Sequence, residues 1–413
     1  MRVSLLTGGD DPNYAVPLAA SLARRGLTIE FVGNDDMQGA PDLRHPNIEY
    51  LNLRGNQDPR APFYTKVVRL LRYYYRLIRH TRRTPSTLFH ILWLNKFKVL
   101  DRTVLNLIYR MMGKRLVLTV HNVNTAKRDG HDGWVNRATL RTMYALMDHL
   151  FVHTPDAKRE LVEEFRVSPE KVTVIPFGLN TYVPDTSLSR RDARDYFGLN
   201  AHERVLLFFG QIAPYKGPDV LLEALRQLTD RPERYRLVIA GRAKADALAY
   251  WKGLASRLRD DVAGARVLLR DNFIPDAEIS ILFKAADVLV LPYRAIYQSG
   301  PLSLAYRFGV PVIATRLAAF EAEVIQGVTG FLANPEDPRD LARAIGQYFE
   351  SDLYRRLDDT SERIRQIGLE RYSWDDISQT ITGIYERIHR PASHELRERA
   401  LETGAHGARK REA

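Results

Sequence analysis

Phe208-Phe209-Gly210-Gln211-Ile212-Ala213-Pro214-Tyr215-Lys216-Gly217-Pro218 runs from an apolar strand end, through a short loop, into the start of a helix. Gly217 suits the cap position and Pro218 the first helical position. Lys216 then stands beside the free amides of a positive helix terminus, where a phosphate binds readily. On spacing alone, an exposed lysine before an ordinary helix reads equally well.

Outward from this loop the chain alternates strands and helices, the pattern of a parallel sheet with crossover helices. Upstream, apolar runs occur at Arg2–Leu6, Thr28–Gly33, Leu88–Trp93, Leu116–His121 and His149–His153, with a helix over Tyr14–Arg25. The rhythm pauses at Val172–Gly178 and resumes at Arg204–Phe209, Arg236–Ala240, Arg266–Leu269, Val288–Leu291 and Pro311–Thr315. A chain of 413 residues is expected to form two such units, which places a ligand in the cleft between their strand ends. The expected division is 1–178, 179–373, a helix over 374–390, and a charged, apolar-poor tail over 391–413 that reads as disordered.

A second loop repeats the logic of the first. Tyr297-Gln298-Ser299-Gly300-Pro301 opens a helix over Leu302–Phe308, closed by Gly309. Gly300 admits close approach to the backbone, and Ser299 offers a hydroxyl. Alone this is an ordinary Gly-Pro helix start. Two such starts in one sheet point to a diphosphate site formed by Gln211, Lys216, Ser299, Gly300 and Pro301.

Gly210–Pro218, Leu291–Thr315 and Gly327–Pro335 resemble the second domain of retaining GT-B glycosyltransferases, closest to family 4 (the group 1 glycosyltransferases). Val174–Asn180 resembles the segment between that family's domains, and Trp374–Ile388 its returning C-terminal helix. The resemblance covers about residues 1–390. It implies an α/β protein of the GT-B fold: two Rossmann-like domains facing a central cleft, with a C-terminal helix returning to the first. It also implies a nucleotide-sugar donor bound by the second domain, an acceptor bound by the first, and no other cofactor. Two departures stand out. Gln211 replaces an arginine that shares the diphosphate with Lys216, and a neutral amide brings no charge. The family's paired glutamates fall at about Ile296 and Leu304, so both are missing.

In the first domain, Thr7-Gly8-Gly9-Asp10-Asp11-Pro12-Asn13 follows the first strand. It reads equally as a tight turn or, by the resemblance, as a loop bordering donor and acceptor, with Gly8, Gly9, Asp10 and Asn13 as candidates. Thr119-Val120-His121-Asn122 ends a buried strand in polar groups. A lone histidine there is more often structural, but by the resemblance His121 lines the donor-sugar pocket and hydrogen-bonds a sugar hydroxyl. His153-Thr154 is a weaker candidate. No Asp-x-Asp metal signature closes a strand, so Lys216 and helix termini are expected to take a metal ion's place.

The absence of cysteine excludes disulfides and thiolate chemistry and fits a reducing cytoplasm. No run approaches the roughly 20 apolar residues of a membrane span, and Val3–Leu6 is too short for a signal peptide. The net charge of +11 calls for an anionic partner. Lys66, Arg69, Arg72, Arg76, Arg79 and Arg83 share one helical face, with Val67, Leu70, Leu71, Tyr74, Leu77 and Ile78 mostly opposite. That pattern suits an anionic membrane surface; a crossover helix with its apolar face in the core and its arginines solvated reads equally well. The expected place of the protein is the cytoplasm, with peripheral attachment at the inner face of the cell membrane. The expected reaction is sugar transfer to a glycan or lipid-linked acceptor in cell-surface polysaccharide assembly. The rivals are a catalytically weakened scaffold and a sugar-nucleotide epimerase, which needs acid/base carboxylates. No nucleic-acid module is present.

Overall fold

The computed structural model describes residues 1–9, 11–58, 60–228, 235–259 and 266–389. The expected tail and Asp10 lie outside them. The first sheet contains β1 (Arg2–Leu6), β2 (Thr28–Gly33), β3 (Ile48–Asn52), β4 (Leu88–Ile91), β5 (Arg115–Val120), β6 (His149–Val152) and β7 (Val172–Val174), in the order β3-β2-β1-β4-β5-β6-β7. The second contains β8 (Arg204–Phe209), β9 (Tyr235–Ala240), β10 (Val267–Arg270), β11 (Val288–Leu291), β12 (Val312–Thr315) and β13 (Gly330–Ala333), in the order β10-β9-β8-β11-β12-β13. The pairings are parallel; Leu6, for example, faces Val32 on one side and Ile91 on the other.

Each sheet reverses its strand order at its own first strand. β1 lies between β2 and β4, and β8 between β9 and β11. Loops leaving such a switch point diverge and open a crevice. The loops after β1 and β8 are the two that carry Gly8-Gly9 and Gly210–Lys216. Two of the candidate loops therefore leave the switch points that the topology opens.

The apolar runs mark the strands to within one or two residues, and His121 and His153 sit one residue beyond β5 and β6. β3 escaped that reading because it is an edge strand, half-exposed, with Glu49 and Asn52 breaking its apolar pattern. β7 fell in the apparent pause, since only three residues pair with β6.

The helix Trp374–His389 returns to the first domain. Ile377, Ile381, Ile384 and Tyr385 repeat at helical spacing and enter the core that holds Val3 and Leu5. Ser21 Oγ donates to Trp374 O at 2.9 Å, and Arg25 Nε donates to Ser378 Oγ at 2.8 Å. Trp374 Nε1 donates to Leu179 O at 2.7 Å, where the chain crosses between domains.

The basic helix, Phe63–Arg83, departs from a crossover helix with its whole apolar face in the core. Only Tyr73, Tyr74, Leu77 and Thr81 are buried. Val67 and Leu71 are exposed, as are Phe63, Tyr64, Val68 and Tyr75. In its first half only Leu70 packs, partly buried, against the first-domain core. Among the described residues no helix is long and apolar enough to cross a membrane.

At the crossing point, a Cβ on Gly178 would lie 2.3 Å from the Trp374 ring. Gly178→Ala is expected to lower unfolding free energy by about 1–3 kcal/mol, because the indole is pinned by its hydrogen bond and cannot retreat. A urea midpoint equal to wild type would show that this contact does not hold the hinge.

Candidate active site

The loop after β8 makes a single tight turn over Pro214–Lys216 and then passes through Gly217 in the left-handed region, φ 63°. A side chain there would meet Pro292 O at 2.1 Å, so the loops after β8 and β11 press directly together. The turn carries Lys216 inward. Its side chain is 6% exposed, and Nζ lies 5.3 Å from the centroid of the Tyr293 ring. Among the described residues no carboxylate pairs with it. Burial, reinforced by the charges of Lys244 and Arg128, lowers its pKa from 10.5 to about 7.

The opposite wall is the helix Gly300–Phe308. Ser299 caps it, Oγ accepting from Leu302 N at 3.4 Å, and Pro301 abuts Gly210. Gln211, Lys216, Ser299, Gly300 and Pro301 thus border one cradle, with the Gln211 side chain exposed and Ser299 buried. Leu304 is buried in the second-domain core and Ile296 packs against it, so neither position supplies a carboxylate.

Across the cleft, Gly8 and Gly9 turn with φ of 60° and 73°. Thr7 Oγ1 accepts from Gly9 N at 3.1 Å and donates to Val32 O at 2.8 Å, fixing the loop to its sheet. Asn13 lies in the first turn of the helix Pro12–Arg24, and its Oδ1 accepts from Asn180 Nδ2 at 3.2 Å. It therefore already braces the interdomain segment.

His121 is nine-tenths buried, stacked on Trp93 at 4.1 Å and met edge-on by Tyr14 at 4.8 Å. Its tautomer follows from its neighbours. His153 Nδ1 lies 3.2 Å from Ile175 O, a pure acceptor, so that nitrogen carries the proton. Burial keeps His153 neutral, with a pKa of about 4, which leaves its Nε2 as a lone pair. His121 Nδ1, 3.1 Å away, must then be the donor. His121 Nε2 is left as a buried lone pair without a partner among the described residues. Burial, then His153 and His90, hold His121 well below its usual pKa, so it is neutral. A cavity of about 360 Å³ adjoins it, lined in part by Trp93, Asn95, Arg102 and Asn122. Gln298 Oε1, in the second domain, is likewise buried and unpartnered.

Residues given no role by the sequence meet here. Tyr297 Oη, from the second domain, reaches Glu160 Oε1 at 3.2 Å and Asn124 O at 3.4 Å in the first. Arg128 Cζ lies 4.2 Å from the centroid of the Tyr215 ring, again across the cleft. Tyr215 stood inside the quoted loop; Arg128 follows His121 by a few residues in a stretch without periodicity.

Residues 12–182 match the model described as Glycosyltransferase Family 4, and residues 203–351 the model described as glycosyl transferases group 1. D-inositol 3-phosphate glycosyltransferase of Thermobispora bispora is 30% identical over 293 residues, 67% of each chain. The chain belongs to glycosyltransferase family 4. D-inositol 3-phosphate glycosyltransferase of Streptomyces scabiei is 31% identical over 243 residues, 58% of this chain and 53% of that one. The matches thus span about half to two thirds of the length of these family members. Two solved structures share the fold. Sucrose-phosphate synthase of Thermosynechococcus elongatus superposes with a TM-score of 0.74 at 18% identity, covering 94% of this chain and 99% of that one. Anabaena HepE in complex with UDP and glucose gives 0.72 at 18% identity, covering 94% and 100%.

A lysine with a pKa of about 7 makes anion binding pH-dependent. Above that pH the free protein holds a neutral amine, and binding must take up a proton. The affinity advantage of wild type over Lys216→Met for inorganic diphosphate should fall about tenfold between about pH 6 and about pH 8, read by calorimetry. A flat ratio would remove Lys216 from the anion site.

Proposed function

We propose that the chain is a retaining, metal-independent transferase that moves a sugar from a nucleoside diphosphate to an acceptor hydroxyl. The observation that carries this reading is Lys216, buried at the switch point of the second sheet with no counter-ion among the described residues. In the reaction, the bond from the anomeric carbon to the diphosphate oxygen breaks and its electron pair stays on the diphosphate. The acceptor oxygen bonds to the same face of the anomeric carbon, and its proton passes to the departing phosphate oxygen. Lys216 stabilises the growing negative charge. The His121 Nε2 lone pair suits a hydrogen bond from a sugar hydroxyl, which orients the ring without covalent chemistry. The empty positions at Ile296 and Leu304 favour the competing reading of a binding protein without turnover.

Mass spectrometry against a panel of nucleotide-sugars tests this. Transfer is expected to survive EDTA and to fall about a hundredfold in Lys216→Ala with the fold intact. A folded protein that releases no nucleotide would support the scaffold, and an epimerised donor with no transfer would support the epimerase. Abolition by chelator would overturn metal independence.

We further infer a membrane-borne acceptor bearing a phosphate, in cell-surface polysaccharide assembly. Phe63, Tyr64, Leu71 and Tyr75 stand exposed beside Arg72, Arg76 and Arg79, and exposed Met111 and Trp134 lie on other first-domain helices. A cavity of about 450 Å³ lined by Arg54, Lys66, Arg69 and Lys96 adjoins this helix, and Arg54 packs on Gly9. Each arginine near an anionic surface adds about 1 kcal/mol. Co-sedimentation should require anionic liposomes, weaken with salt, and drop when Arg69, Arg72 and Arg76 become Gln. Equal recovery with neutral liposomes would remove the membrane claim alone.

A further inference from the structure

We propose that Arg128, brought across the cleft by the first domain, together with Lys244 supplies the positive charge on the leaving diphosphate that Gln211 lacks. The inference rests on the transferase reading above.

The loop that ends in Lys216 holds one cation, but it lies among others. Ile212 N donates to Arg242 O at 3.0 Å, and Lys244 N donates to Ile212 O at 3.1 Å, so residues 242–244 run along the Gln211 loop. Lys244 Nζ lies 5.6 Å from the Tyr215 ring centroid, and Arg128 Cζ lies 4.2 Å from the same ring. Tyr215 meets Tyr293 edge-on at 6.3 Å, and Tyr293 carries Lys216 Nζ on its face. Two touching tyrosines therefore hold three cations in one neighbourhood. Asp129 engages Arg128 at 2.8 and 3.1 Å and also feels the charge of Lys244, but no carboxylate comes within ion-pair distance of Lys216 or Lys244 among the described residues. Like charges gathered with so little compensation cost stability until an anion joins them, and such sites are where anions bind. Aromatic faces steady the cations without neutralising them.

Arg128 differs from the other two in origin. It ends the short helical turn Thr125–Arg128, capped by Asn124, in the first domain. Its charge reaches the cradle only while the domains face each other, the same juxtaposition that Tyr297 makes with Glu160 and Asn124. A family arginine at position 211 would sit in the cradle whether the cleft is open or shut. Here, leaving-group stabilisation is coupled to closure, which also excludes water.

The test is a charge-relocation series measured as kcat and KM for the donor. Arg128→Gln should lower kcat about a hundredfold with KM changed only a few-fold, Arg128→Lys should keep most of the rate, and Lys244→Gln should lower kcat about tenfold. Adding Gln211→Arg to Arg128→Gln should restore kcat at least tenfold, because the charge returns from another position. A purely structural stack of Arg128 on Tyr215 gives no such rescue. A double variant as slow as Arg128→Gln alone, with unchanged melting, overturns the proposal. If the wild type turns over no donor, the transferase reading has failed, and calorimetry with inorganic diphosphate decides the cation set. Arg128→Gln and Lys244→Gln should each weaken binding about tenfold; affinity unchanged in both overturns it.

Discussion

An ammonium group taken out of water without a counter-ion is costly, and the cleft is organised around that cost at Lys216. The Tyr293 face offsets part of it, and the rest appears as a pKa lowered to about 7. The left-handed turn at Gly217 forces the lysine inward, while the loop after β11 closes over it. A buried cation of this kind suits an anion, and the helix beginning at Gly300 turns its positive N-terminal end to the same side.

Holding that cradle against the first domain requires a stiff crossing. The chain passes between domains at Gly178–Asn180 and again at Tyr372–Trp374; Leu179 N donates to Tyr372 O at 3.0 Å, locking the two passages, and Asn180 N donates to Ser303 Oγ of the second domain at 2.8 Å. Behind His121 the support is polar and buried. His90 bridges Tyr385 Oη at 2.6 Å and Thr119 Oγ1 at 2.8 Å, and burial holds it neutral, with a pKa of about 3. The returning helix thus reaches the strand that presents His121.

Parts of the site were legible because the physics is local. Gly210–Pro218 and Ser299–Pro301 each place a strand end, a loop and a helix start within a few residues, and dihedral preferences of Gly and Pro announce them. His121 was visible as a polar residue closing an apolar run. Its tautomer depends on a hydrogen-bond chain through His153 to Ile175 O, which no spacing encodes. Arg128, Lys244 and Tyr293 come from three separate segments and share no periodicity, so their convergence was invisible. The basic helix left two readings open for the converse reason. Periodicity shows which residues share a face, but not whether anything covers it, and Val67 and Leu71 are uncovered.

By itself the sequence determined the alternation of parallel strands and helices, the two-unit division of apolar runs, and the strand–loop–helix junctions at Gly210–Pro218 and Ser299–Pro301. These follow from burial patterns and backbone preferences that act over a few residues. Only the tertiary structure decided the proton state of His121, the burial of Lys216 without a counter-ion, and the arrival of Arg128 from the opposite domain. Those depend on desolvation and Coulomb interactions between groups far apart in the chain, which are set by where the fold brings them and not by the spacing that separates them.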